Sequence, residues 1–238
     1  MIVGKPLWRD VFHGTREAPG VRRGTRRNRP LGRNIMERKN FDSAAATWDE
    51  EPRRVKLAAD IGTAIKNAVP LSADWDGMDY GCGTGLLTLD LAPALHSMVG
   101  MDSSQGMVDR LTAKCAAAGI TNTRALRCNL EQGELPAGPF HLVTSAMTLH
   151  HIPEIVPLLT SLRGLLRPGG WVALADLETE DGSFHEDQTG VFHHGFSREE
   201  LEGLLARAGF VSIAVRSATT VRKGERVYPV LLAVAVNP

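Results

Sequence analysis

Short apolar runs alternate with helical stretches from residue 75 to residue 177, and this alternation restricts the possible folds more than any other feature of the chain. Strands are predicted near Trp75–Tyr80, Met98–Met101, Thr123–Arg127, Phe140–Ala146 and Trp171–Leu177. Helices are predicted from about Leu86, over Gln105–Ala118 and over Ile155–Leu166. Strands separated by helices imply parallel βαβ units. A further helix precedes the first strand, because Val55, Leu57, Ala58, Ile61, Ile65 and Ala68 recur at helical spacing between Pro52 and Val69. Arg167-Pro168-Gly169-Gly170 reads as a stop and turn before the fifth strand. Ser197 ahead of Glu199 and Glu200 is an N-cap with an acidic first turn for a helix to Ala208, which Gly209 ends. Two last strands, roughly Val211–Ser217 and Tyr228–Val236, flank the turn Arg222-Lys223-Gly224-Glu225 and suggest an antiparallel hairpin. The expected fold is α/β: a doubly wound, Rossmann-like, mostly parallel sheet with a C-terminal antiparallel hairpin.

The length of 238 residues suits one such domain, placed at 36–238, preceded by a basic extension over 1–35. Before Met36, nine cations (Lys5, Arg9, Arg16, Arg22, Arg23, Arg26, Arg27, Arg29, Arg33) stand against Asp10 and Glu17, so the extension carries about +7 and the rest about −7. Gly and Pro interrupt any amphipathic period there, and an upstream extension with Met36 as the working start, a solvated arm and a targeting peptide all remain open. A mildly acidic domain argues against nucleic acid as its partner, since phosphate binding needs clustered Lys and Arg. No apolar run approaches the roughly 20 residues of a membrane span. Three cysteines without paired spacing fit a reducing compartment, so the expectation is a cytoplasmic protein.

Chemistry is concentrated at Asp79-Tyr80-Gly81-Cys82-Gly83-Thr84-Gly85, between a predicted strand and a predicted helix. In an open parallel sheet, ligands sit beyond the carboxyl ends of the strands. Glycines there let a ligand approach the backbone. The second strand then ends in Val99-Gly100-Met101-Asp102, where a two-oxygen acceptor can hold both hydroxyls of a ribose. A tight turn without a ligand and a surface carboxylate are the plainer readings of the same residues. A nicotinamide site would need Gly-x-Gly-x-x-Gly, but the third glycine here comes one residue early, and no Gly-x-x-x-x-Gly-Lys-Ser/Thr loop is present.

These residues in this order resemble the class I S-adenosylmethionine-dependent methyltransferases, in the small-molecule branch that includes ubiquinone-biosynthesis-type enzymes. The resemblance runs from Phe41 to the C-terminus. It implies that Asp79 with the loop Gly81, Cys82, Gly83 and Gly85 holds the amino-acid end of the cofactor, S-adenosylmethionine, and that Asp102 holds its ribose. Ser103 and Met107 resemble positions lining the adenosine. Asn129 stands where the family often has an Asp that accepts from the adenine amine, and Leu130 would pack on the base. Ser145 to His151 resembles the end of the fourth strand, with Ser145 counted among the cofactor positions. Phe41 to Asp49 resembles the segment that closes over the cofactor, in which Trp48 either covers the ligand or merely anchors a helix.

The function implied is transfer of a methyl group to a small-molecule acceptor by in-line displacement. The alternative is a catalytically inactive binding or assembly protein of the same fold. A third reading, an RNA methyltransferase using the basic extension, is disfavoured by the acidic domain. Adenine-N6 methylation is further disfavoured because Ser145-Ala146-Met147-Thr148 replaces the Asn/Asp-Pro-Pro-Tyr/Phe signature. Alignment of nucleophile, methyl carbon and sulfur is worth roughly 7–11 kcal/mol of barrier. A base is needed only where the acceptor retains its proton. Candidate bases are His150 first, then His185, with His151, His193 and His194 nearby; a neutral imidazole suits this task. The stretch from Glu178 to Phe196 is expected to roof the acceptor. Adjacent histidines point in different directions, so no metal is predicted.

Overall fold

The computed structural model describes residues 41–130, 134 and 136–238, so the expected basic extension and the expected domain start at Met36 lie outside the described residues. Helix α1 (Pro52–Ala68) opens with Pro at its first position, where its missing N–H costs nothing. The remaining elements are β1 (Asp76–Tyr80), α2 (Leu86–Leu91), β2 (Ser97–Asp102), α3 (Gln105–Ala118), β3 (Thr123–Arg127) and β4 (Phe140–Ala146), followed by α4 (Ile155–Gly164), β5 (Leu166–Leu177), α5 (Arg198–Arg207), β6 (Val211–Lys223) and β7 (Arg226–Val236).

The seven strands form one sheet in the order β3-β2-β1-β4-β5-β7-β6. Pairs among β1 to β5 are parallel, whereas β7 is antiparallel to both β5 and β6. The hairpin is therefore folded back so that its second strand, the more apolar one, lies inside the sheet. The chain order reverses between β1 and β4, which places a ligand crevice above their carboxyl ends.

Side chains of the inner strands point alternately to the two faces, and both faces are covered. Val143, Val172, Leu174, Leu231 and Ala233 pack on one face with α4 and α5 residues such as Leu159, Leu162 and Leu205. Leu142, Ala173, Ala175, Val230 and Leu232 pack on the other with Ile61, Ile65, Leu87 and Leu91 of α1 and α2. Helix α3 contributes Leu111 and Cys115, which meet Cys82 behind the glycine loop. The expected Ser197 cap accepts from Glu200 N–H at 3.1 Å to start α5, and Ser104 likewise accepts from Met107 N–H at 3.2 Å to start α3.

Three strand boundaries differ from expectation. Strand β5 begins at Leu166 and runs through Arg167-Pro168-Gly169-Gly170, because Phe140 pairs with Leu166 before a register shift brings Leu142 opposite Trp171. The Pro-Gly-Gly segment is thus a bulge within a strand, with Gly169 at φ 75°. Strand β6 continues six residues past Ser217 to Lys223, and β7 starts at Arg226, leaving only Gly224 and Glu225 as the turn. Among the described residues, no helix is long and apolar enough to cross a membrane.

Candidate active site

The glycine loop leaves β1 in left-handed backbone geometry, with φ of 67° at Gly81, 53° at Gly83 and 85° at Gly85. At Gly85 a side chain would also collide with Leu111, 2.4 Å from the position of its Cβ. Gly83 is different: a Cβ there would meet nothing nearer than Met107 Sδ at 4.0 Å. The space over Gly83 is thus open on the protein side, flanked by the Met107 expected to line an adenosine.

Asp102 faces this loop directly. Its Oδ2 accepts from Gly83 N–H at 2.9 Å, and its Oδ1 accepts from Ser104 N–H at 2.8 Å. Burial raises its carboxyl above the usual range, while hydrogen bonds from Ser104, Gly83 and Ser103 act in the opposite direction. These backbone donors take up part of the roughly four-site acceptor capacity of a carboxylate, and the capacity left over suits a hydroxyl donor.

Asp79 lies behind the loop and is 1% exposed. Thr88 donates to its Oδ2 at 2.6 Å and Thr144 to its Oδ1 at 2.9 Å. Burial first, with the charge of Asp102 adding, pushes this carboxyl up to about 6 against those two hydrogen bonds.

Several expected residues occupy the same rim. Met107 is buried, Ser103 is exposed beside Asp102, and its carbonyl accepts from Arg127 Nε at 3.2 Å. Asn129 and Leu130 follow β3, where the Asn129 N–H donates to Glu134 Oε2 at 2.7 Å. Trp48 belongs to a 3-10 segment, Ala45–Glu50, that approaches the loop. The Arg54 guanidinium stands 3.9 Å over its ring, and the Phe41 ring lies 6.1 Å away. The segment is clasped at both ends: Asp42 Oδ1 accepts from Ser104 Oγ and Gly106 N–H, and Asp49 accepts from Thr84 Oγ1 at 2.5 Å and Lys114 Nζ at 2.8 Å.

Two expected side chains are engaged elsewhere. Ser145 is fully buried and donates its hydroxyl to the Tyr80 carbonyl at 2.9 Å, so it supports the end of β1 from behind. The Cys82 thiol is buried against Leu111 and Cys115, which leaves only its backbone at the loop surface.

The histidines collect beyond β4. The ring of His150 lies 4.2 Å from that of His151 and 4.8 Å from that of His185, and Phe41 packs edge-on to His151 at 5.3 Å. His150 is 1% exposed, and its carbonyl accepts from Phe192 and His193 N–H groups. The 178–196 stretch is held in place: Thr179 and Phe196 exchange backbone contacts with each other and Leu177, the Lys223 ammonium donates to the Phe184 carbonyl, and Gln188 donates to the Gly182 and His185 carbonyls. The His193 ring packs on Phe196 at 5.1 Å and is bonded to the Ile152 carbonyl through Nε2 at 2.9 Å. Among the described residues, no group of three or more His, Cys, Asp or Glu is placed to hold a metal ion.

Sequence reading missed Asp176, whose Oδ1 lies 2.7 Å from His150 Nδ1. The signal was present, since a carboxylate inside the apolar run Trp171–Leu177 contradicts a strand covered on both faces.

Residues 78–170 match the family model described as a methyltransferase domain. Over this span the chain is similar to a methyltransferase domain. The matched span includes the glycine loop, Asp102, the fourth-strand end and His150. An uncharacterized methyltransferase of Schizosaccharomyces pombe is 32% identical over 58% of this chain and 54% of its own length. A ubiquinone biosynthesis O-methyltransferase of Methylococcus capsulatus is 26% identical over 60% of this chain and 62% of its own. The chain thus spans about half to three fifths of these curated relatives. The chain also shares its fold with a SAM dependent methyltransferase from Aquifex aeolicus, at a TM-score of 0.62 and 20% identity, over 83% of this chain and 98% of that one.

Proposed function

We propose that the chain transfers the methyl group of S-adenosylmethionine to a hydroxyl of a small molecule. The observation that carries this reading is the pairing of Asp102 with Gly83, which sets a diol-sized carboxylate beside an open glycine cradle where the strand order reverses. The O-methyltransferase relative supports an oxygen nucleophile.

In this reading Asp102 grips the ribose, Ser103, Met107, Asn129 and Leu130 border the adenosine, and the Gly81–Gly85 backbone with Asp79 behind it takes the amino-acid end. Trp48 closes the cover. When bound, the donor supplies a reactive sulfonium methyl group. The protein's task is then to orient the acceptor, exclude water and receive a proton. His150, just past the end of β4, takes the role of base, with His185 beside it. The three cysteines are free and buried, which supports work in a reducing compartment such as the cytoplasm.

Calorimetry with S-adenosylhomocysteine, the demethylated donor, tests the reading. Saturable binding is expected, weakened at least tenfold in Asp102→Ala, since losing a charged hydrogen-bond acceptor costs about 1.5–3 kcal/mol. No heat with either donor or product, or equal binding in the variant, refutes it.

A further inference from the structure

We infer that Asp176 is the positioning residue of the acceptor site, holding His150 with its proton on Nδ1 so that Nε2 is the nitrogen that receives the acceptor's proton. This rests on the methyl-transfer reading above.

Asp176 sits on β5 beside the end of β4 and is 1% exposed. Besides His150 Nδ1, its Oδ1 accepts from Leu177 N–H at 2.8 Å, and its Oδ2 accepts from His150 N–H at 3.3 Å. Among the described residues, the cation-forming group within ion-pair distance of it is His150. A buried carboxylate is costly, and an amide or hydroxyl would tie the two strand ends as well. What a carboxylate adds is charge, and charge matters to an imidazole that gains a proton during turnover. Although burial pushes against it, the facing imidazole and the hydrogen bonds hold this carboxyl below its usual range. Both of its oxygens already accept backbone N–H bonds, so it faces the imidazole as an acceptor and the proton between the two groups belongs to Nδ1.

The neighbouring ring follows the same pattern. His151 Nδ1 lies 2.7 Å from the Gly190 carbonyl, which can only accept, so its proton too is on Nδ1. Both rings have their Nδ1 edges turned to fixed acceptors.

The step balances without a co-reactant. As the acceptor oxygen bonds to the methyl carbon and the carbon–sulfur bond breaks onto sulfur, the hydroxyl proton passes to Nε2 of His150. The imidazolium is balanced by Asp176 until the proton returns to water. Such a dyad serves an acceptor that is protonated at neutral pH, a hydroxyl rather than a thiolate.

Two measurements test this. Long-range proton–nitrogen NMR of protein labelled in its histidines, with His150 assigned by its loss in His150→Gln, is expected to show His150 protonated at Nδ1 and bare at Nε2. Incubation with isotopically labelled S-adenosylmethionine and a metabolite extract is expected to give about 10²-fold less labelled product in Asp176→Asn at neutral pH. That deficit should narrow as pH rises and the acceptor ionises unaided. If Asp176→Asn fails to fold, His150→Gln supplies the same pH comparison. A proton on Nε2 of His150 in the unmodified protein, or a deficit equal at every pH, overturns the assignment. Absent binding of S-adenosylhomocysteine would instead refute the methyl-transfer reading, leaving the NMR result to decide the tautomer alone.

Discussion

Asp79 shows how one residue sets stability against binding. Its folded carboxyl titrates near 6, whereas the reference value is 3.8. The unfolded chain therefore gives up this proton more readily than the folded one. Stability from the protonated form is fully present below about 3.8 and is lost as pH rises through about 6. Asp79→Asn removes the buried charge and should stabilise the ligand-free protein at neutral pH by up to roughly 2–3 kcal/mol. The same change should weaken S-adenosylhomocysteine binding, because the negative charge behind the loop is gone. Urea unfolding across pH and calorimetry read the two effects. Parallel pH curves for variant and wild type would show that Asp79 does not titrate in this window.

Helix α3 illustrates what an element contributes beyond its own length. Its N-cap, Ser104, accepts from Met107 N–H and donates to Asp42 at 2.5 Å, so the cap also fastens the segment that carries Phe41 and Trp48. Ser104→Ala should cost about 1 kcal/mol in denaturant unfolding. It should also speed proteolysis near residue 45, whereas unchanged cleavage would mean the clasp does not depend on the cap. Hydrogen bonds from Ser104 and Gly106 hold the Asp42 carboxyl below its usual range. Their stabilising effect is present above the ordinary carboxylate value and disappears as pH falls through the lower, folded one. Elements such as α3 and β1 were legible because their signals are local: a cap, a period, a glycine after the last turn. The start of β5 was not, since whether Pro-Gly-Gly turns or bulges depends on Phe140, a partner distant in sequence. The same distinction separates Asp102, announced by its place after a strand beyond the glycine loop, from Asp176, whose meaning comes from a histidine 26 positions earlier. The Ser145 hydroxyl depends on tertiary placement in the same way: its type suits a ligand, but its strand position turns it toward the Tyr80 carbonyl.

At the scale of the whole molecule, the sheet separates two apolar layers that share little contact. Leu91 lies in one and Leu162 in the other, both fully buried. Each, truncated to Ala, should cost about 2–5 kcal/mol. Their double variant should equal the sum within about 0.5 kcal/mol, because neither cavity borders the other. A larger departure in chemical denaturation would reveal coupling through the strands. The placement of β7 between β5 and β6 bears on biosynthesis. The glycine loop and Asp102 leave the ribosome long before Lys223 and Tyr228, whose contacts with Phe184 and Ser183 fasten the 178–196 stretch. A nascent polypeptide can pair its first five strands early, yet the 178–196 stretch gains these fastenings only once the final strand is threaded into the sheet.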